Sequence, residues 1–434
     1  MRILLITDEV WNDKTNGNNV LSNWFDGFDA DFANIYCNPG MPYTKCCNQY
    51  FQITDTMMLK SIIGKKKAGK LFKLDDSTVD DNEFLGEEEN TKLYSKLKSI
   101  TTESMRVLRE MIWSYGKYDT QALQEFIDEF KPDIIFSPRL ATLKILRLEK
   151  LVYDIAQVPI VAFTGDAEYS MKLFRTSPVF WIKRLILRKK FRRMMPNYSL
   201  YYTLSDEQLE EYQTEFGNKF KILRKCGDFE KKLEDKKVNK PIKIVYAGKL
   251  YSNRWKTLAE IGKALRQMNV TETKMILEIY TRDKLTKQQM SLLNDGKNVY
   301  VRGSVSSEEL IDIYKNADIA LHVESFDLQN RLLTRVSFST KIIDCLESGC
   351  AVMAISWDKH SGYTYLKSQD AAFVISRKGD ISLELKKIIE TPEIINEYRQ
   401  KAMKCGKQNH QRENVQKMLY EDFKHIINLS ENHQ

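Results

Sequence analysis

The chain has 434 residues, 42% hydrophobic and 29% charged, with a formal net charge of +8. That length favours two or three domains, and that balance a soluble globular protein. No apolar run is long enough to span a bilayer, the opening 1–7 reaches Asp8 and Glu9 too soon for a secretory signal, and seven cysteines without a C-x-x-C pair imply reduced thiols in a cytoplasm.

Residues 2–7 read as a strand. A loop over 12–19 follows, with Gly17 and Asn18, and then a helix whose apolar positions are Val20, Leu21, Trp24 and Phe25. The turn is not G-x-G-x-x-G, so the dinucleotide fingerprint is absent. Residues 32–37 are the next strand. From about 60 to 90 the chain is rich in charge and poor in large apolar groups, and reads as a mobile loop or exposed excursion. Helical patterns follow over 91–115 and 120–130, then a strand 133–136, a helix 142–156 and a strand 160–163 ending in Thr164-Gly165-Asp166.

The segment 178–195 opens with Ser177 as N-cap and Pro178 at the first helical position. Between Lys183 and Arg193 it holds seven cations and no acid, and removing seven from +8 leaves +1. One basic patch therefore describes the charge, and whole-surface nucleic-acid binding is not expected. Phe180, Leu187, Phe191 and Met194 share one helical stripe, with Trp181, Leu185 and Ile186 nearly opposite. Two readings stand: docking on anionic lipid head groups, or a domain helix buried on one side with a solvated basic rim.

A strand 199–203, a helix 206–216 and a strand 220–223 precede the run of Lys, Glu, Asp and Asn over 231–240, the best linker in the chain. The first domain is expected to occupy 1–230. The second, 241–410, opens with a strand 242–247 and Gly248-Lys249-Leu250. A helix 255–268, strands 275–280 and 298–301, and a helix after the capping box of Ser306 with Glu309 come next. Then 319–355 forms a strand, loop, helix, strand unit. Ile319 to Val323 and Ala351 to Ile355 are buried parallel strands. Ser339 is the expected N-cap between them, and Gly349 the helix stop. After it come a strand 372–375 and helices 381–389, 392–406 and 412–429. Strands alternate with helices in both halves. The fold class is therefore α/β, two Rossmann-like parallel-sheet domains facing a cleft.

Two devices in the second domain suit a phosphate. One is the helix start at Ser339, Thr340 and Lys341. The other is Gly248 and Lys249 with Arg254 and Lys256 in the loop after strand 242–247. Each also fits an ordinary capped βαβ unit with solvated cations at a strand end. His322, at a strand end, reads as structural rather than as a base.

Tyr246-Ala247-Gly248-Lys249-Leu250, Asn316-Ala317-Asp318-Ile319-Ala320-Leu321 and the run from Ser339 to Gly349 resemble the GT-B glycosyltransferases of group 1, family-4-like and retaining. The resemblance covers most of the second domain and is weaker in the first. It implies that the second domain binds a nucleotide-diphosphate sugar, that the first binds the acceptor, and that a C-terminal helix, 411–434, crosses back to the first domain. It implies a diphosphate held by Gly248, Lys249, Arg254 or Lys256, Ser339, Thr340 and Lys341. Asp344 would hold the ribose and the turn Arg302-Gly303-Ser304 the base. Gly17 and Asn18 would lie on the acceptor side. The family's first glutamate would fall on Val336, so Glu324 is carried as the donor-sugar contact and Asp166 as the acceptor-orienting group. Arg331 and Arg335 are further cations that could meet phosphate or an anionic acceptor. No metal or other cofactor is implied. Asp29-Ala30-Asp31, a D-x-D, precedes a strand rather than ending one and reads as a turn.

The activity so implied is retaining glycosyl transfer to a glycan or lipid-linked acceptor in surface polysaccharide synthesis, in the cytoplasm and peripheral to a membrane. A nucleotide-sugar epimerase and a non-catalytic GT-B subunit are the alternatives.

Overall fold

The computed structural model describes residues 1–14, 20–64, 66–74, 103–138, 141–230, 233 and 236–432. Gly17 and Asn18 lie outside them, as do most of the charged excursion, the start of the helical pattern 91–115 and part of the linker.

The chain divides into two compact units. One comprises Met1–Met171, Arg175–Leu223 and Val415–Gln434, the other Lys172–Phe174 and Arg224–Asn414. The first is built on β1 (Arg2–Thr7), β2 (Asp31–Tyr36), β3 (Gln49–Gln52), β4 (Lys70–Lys73), β5 (Ile134–Pro138), β6 (Ile160–Thr164), β7 (Tyr198–Thr203) and β8 (Phe220–Ile222). Their order is β4-β3-β2-β1-β5-β6-β7-β8. Every pairing is parallel except β3 with β4. The central strands are continuous apolar runs because both faces are covered by helices. Ile3 to Ile6, Ile134 to Phe136 and Ile160 to Ala162 are fully buried.

Part of the excursion expected from 60 to 90 is ordered structure. Lys60 to Ile63 end the helix Asp55–Ile63, and Lys70–Lys73 is an antiparallel edge strand. Phe72 supplies the reason: its ring stacks on Tyr50 at 5.5 Å between centroids. The lysines at both ends of that strand suit an edge.

The segment from Val415 packs in this first unit. It belongs to the helix Arg412–Glu431, whose Val415, Leu419, Phe423 and Ile426 form one buried stripe. The Phe423 ring lies 5.4 Å from that of Phe136, and Tyr202 donates to Asp422 at 2.6 Å. Among the described residues no helix is long and apolar enough to cross a membrane.

The second unit holds β9 (Ile242–Ala247), β10 (Met275–Tyr280), β11 (Val299–Gly303), β12 (Ile319–Val323), β13 (Ala351–Ile355) and β14 (Phe373–Ile375). All pair in parallel, in the order β11-β10-β9-β12-β13-β14. Counted from the first strand this is the doubly wound order 3-2-1-4-5-6. The direction of winding reverses between β9 and β12, and such sheets bind ligands outside the carboxyl ends of the strands at that reversal.

Candidate functional site

The residues that follow β9 and β12 meet at this reversal. β9 ends in Ala247, and Gly248 continues its ladder by donating to the Tyr280 carbonyl at 2.8 Å. The loop to the next helix contains Ser252 and Asn253, both in the left-handed region with φ of 55° and 61°. That turn aims the start of the helix Arg254–Met268 back at the end of β12.

There Arg254 meets Glu324. Its Nε donates to one carboxylate oxygen at 3.0 Å and its Nη2 to the other at 2.5 Å. Both side chains are buried. Burial alone would lower Arg254 and raise Glu324. Their mutual charge outweighs it, so the guanidinium sits above its ordinary pKa and the carboxyl below. Thr257 donates to the Glu324 carbonyl at 2.8 Å. The sequence left Glu324 facing the donor sugar. In the structure both its oxygens accept from Arg254.

Lys341 is the contrasting group. Its Nζ is buried, although the residue as a whole is half-buried, and among the described residues it has no hydrogen-bond partner. It lies 5.0 Å from the centroid of the Tyr246 ring and directly over Gly248, where a Cβ would come within 1.5 Å of it. Burial, and then the charge of Arg254, lower its pKa to about 8. With Arg254 and Glu324 cancelling, Lys341 adds one positive charge beside that pair.

The helix itself departs from expectation. It runs Lys341–Glu347 with Thr340 as N-cap, in helical conformation and without a side-chain capping bond, and Ser339 is not the cap. The chain enters through a tight turn in which Ile342 donates to the Ser339 carbonyl at 3.0 Å. That i to i+3 bond already satisfies one early N–H, leaving the hydroxyls no capping task. A helix of seven residues has little aligned dipole to offer. The uncompensated charge at this helix start, among the described residues, is on a side chain, Lys341.

The other expected residues are placed as follows. Lys249 is exposed and in no ion pair among the described residues. Its carbonyl accepts from the Tyr246 hydroxyl at 2.7 Å. Lys256 pairs with Asp327 at 3.0 Å, and Asn253 donates to the same oxygen at 2.7 Å. Asp344 is paired with Lys225. Arg302 is bound to Glu278 at 2.7 Å and lies over the Tyr300 ring. Gly303, with φ of 80°, accepts from Thr281 at 2.7 Å. Arg302, Gly303 and Ser304 thus share the sheet edge with Gly248, two strands away, roughly 10 Å. Arg331 lies over the Trp357 ring at 4.3 Å. Asp166 is exposed after β6, in the first unit.

Sequence reasoning missed the Lys225 partner of Asp344, for which a separation of 119 residues leaves no signal. It also missed the rings of Tyr246 and Tyr251 beneath Lys341 and Arg254. His322 is buried and neutral, as a structural histidine is. Burial pushes its pKa down to about 3, and its Nε2 lies 3.8 Å from Glu324.

No protein-family model matches the sequence, and no curated protein does. Solved structures do. Anabaena HepE in complex with UDP aligns over 98% of this chain and 100% of its own, with a TM-score of 0.62 at 12% identity. Sucrose-phosphate synthase from Thermosynechococcus elongatus aligns over 99% and 100%, with a TM-score of 0.61 at 11% identity. An α,α-trehalose-phosphate synthase (UDP-forming) from Burkholderia xenovorans, solved with glucose-6-phosphate, aligns over 98% and 100%, with a TM-score of 0.57 at 8% identity. The likeness runs through both α/β units, and the chain has the GT-B fold.

Proposed function

We propose that the protein is a glycosyltransferase. It moves a sugar from a nucleotide-diphosphate sugar to a glycan or lipid-linked acceptor, in surface polysaccharide synthesis at the cytoplasmic face of a membrane. The observation that carries this reading is Lys341, a buried ammonium without a hydrogen-bond partner among the described residues, set over a glycine at the reversal of a doubly wound sheet. A buried unpaired cation destabilises the free protein, and a bound diphosphate offsets that cost. The donor class is supported by fold neighbours: HepE has been solved with UDP-glucose, and an E. coli protein with UDP-2-fluoro glucose.

In this reading Lys341 and Lys249 grip the diphosphate as it leaves, beside Ser339, Thr340 and Gly248. Arg254, fixed by Glu324, adds to the field, and Lys256 is the outer cation. Asp344 turns from Lys225 to the ribose, and Arg302, Gly303 and Ser304 border the base. The bond from the anomeric carbon to the diphosphate breaks through an oxocarbenium-like transition state. The acceptor oxygen bonds to that carbon on the same face, and its proton passes to the donor phosphate. The protein's main task is then to stabilise charge on the leaving group. Asp166 orients the acceptor hydroxyl.

Calorimetry with UDP and GDP tests the reading. Wild type binds at least one of them, and Lys341→Ala weakens that binding at least tenfold with its circular dichroism unchanged. Wild type that binds neither ends the case. A second reading, a non-catalytic subunit of this fold, is favoured by Val336, which is buried where the resembling enzymes carry their first glutamate. Nucleotide binding without sugar release from any donor, in the presence of candidate acceptors, selects it.

A further inference from the structure

The helix Pro178–Met194 is fixed to the first unit by one side. Phe191 and Met194 are buried, and Leu187 packs against the core. Arg184 donates to the Ala167 carbonyl at 2.9 Å, Arg188 to the Tyr169 carbonyl, and Arg192 to Glu215 at 2.6 Å. Three of the seven cations therefore serve the packing of this helix.

The outward face is different. Val179, Ile182, Leu185 and Ile186 occupy its first half, with Ile182 at 59% and Leu185 at 56% exposure. Lys189, Lys190 and Arg193 occupy its second half, and among the described residues none of the three has an ion-pair or hydrogen-bond partner. These positions recur every three or four residues and so lie on one face. Polarity is divided along the axis, not around it. A reading around the axis finds two opposed apolar stripes; the structure buries Phe191 and Met194 of one and leaves Leu185 and Ile186 of the other exposed.

Four adjacent exposed aliphatic side chains are unusual on a solvated surface. A nucleic-acid backbone would meet the cations but leave the aliphatics unused. A second copy stacked in parallel on the same face would set cation against cation, and an antiparallel one would set cations on aliphatics. An anionic bilayer answers both halves. At 17 residues with this much charge the helix lies in the interface and does not span it.

We propose that this face docks on an anionic lipid bilayer. Val179, Ile182, Leu185 and Ile186 enter the acyl boundary, and Lys189, Lys190 and Arg193 rest on head-group phosphates. The surface is separate from the nucleotide-binding residues, so its failure removes the membrane location and leaves the glycosyl-transfer reading standing.

Flotation of the full chain with phosphatidylcholine vesicles containing about 30% phosphatidylglycerol tests it, without nucleotide present. Wild type floats with these vesicles and not with pure phosphatidylcholine, and 0.5 M salt, roughly a 4 Å Debye length, weakens the binding. Reversing Lys189, Lys190 and Arg193 to Glu together weakens it on the order of a hundredfold. Ile182→Asp with Leu185→Asp abolishes it at an unchanged melting temperature. Wild type that stays in solution, or variants that float as wild type does, overturn the proposal. Light scattering that shows a wild-type dimer dispersed by the same substitutions, without vesicle binding, overturns it in favour of a second copy.

Discussion

The Lys341 side chain fills the space that a side chain on Gly248 would need: a Cβ there lies 2.3 Å from Lys341 Cε as well as against Nζ. Gly248→Ala must therefore push the lysine off the Tyr246 ring or shift the loop. The lysine's flexible end can swing aside, but Gly248 has a φ of 156° that L side chains rarely adopt, so the expected cost is about 1–3 kcal/mol in a denaturant titration, with a tenfold or greater loss of nucleoside-diphosphate affinity by calorimetry. Wild-type stability and affinity in this variant show the lysine to be mobile and remove the argument from its position.

The depressed pKa of Lys341, about 8, gives a pH dependence whose sign is fixed. An unfolded lysine titrates near 10.4, so between about 8 and 10.4 the unfolded chain holds the extra proton. Stability then rises with pH across that window, by up to about 3 kcal/mol from this group. Lys341→Met is more stable than wild type below pH 8, and the difference closes as pH rises. Nucleotide binding follows the opposite course, since a diphosphate prefers the ammonium: wild-type affinity falls from pH 7.5 to 9.5, while that of Lys341→Met stays low and flat. Parallel stability curves for the two proteins refute the assignment.

The strands of this site were legible in the sequence, and its pairings were not. Ile319 to Val323 and Ala351 to Ile355 are apolar throughout because helices cover both faces of their sheet, and that pattern is local. Gly248 and Lys341 were both singled out, but their contact depends on how a loop and a helix are set across the sheet. Arg254 could be seen only as a rival to Lys256, because Glu324 stands 70 residues away. The same holds for β4, four residues long, whose place depends on the Tyr50 ring. The Ser339 cap failed for a local reason: the chain arrives already turned, and a hydroxyl can cap only from extended backbone.

Arg254 and Glu324 form a buried pair in which each charge depends on the other. Glu324→Gln leaves the guanidinium buried with a neutral partner and is expected to cost about 3–5 kcal/mol. Arg254→Met alone strands the carboxylate at a similar cost. The double variant Arg254→Met with Glu324→Leu recovers most of the loss, because uncharged side chains of similar volume need no desolvation of ions. A double-mutant cycle by chemical denaturation measures the coupling. Additive single effects mean that the two side chains do not meet in solution.

Lys249 and Lys256 both qualified from the sequence as the cation that meets the diphosphate, and the structure separates them by what each already holds. Lys256 is tied to Asp327, which Asn253 also holds, and that contact lowers the Asp327 pKa despite its partial burial. To meet a phosphate Lys256 would first give up that ion pair, so part of any gain is cancelled. Lys249 is next to Gly248, exposed, and among the described residues has no ion pair to give up. Lys249→Ala is expected to lower kcat/KM for the donor about 10- to 100-fold, the worth of one charge-assisted bond. Lys256→Ala is expected to lower it less than about threefold, since a pair partly open to water contributes little. Salt adds a second check. With Lys249 intact, donor affinity weakens as ionic strength rises, and in Lys249→Ala that slope shallows, while Lys256→Ala keeps it. The reverse ranking, with Lys256→Ala the more damaging, would mean that Asp327 releases its lysine when the donor arrives, and that the loop from Gly248 to Asn253 rearranges on binding.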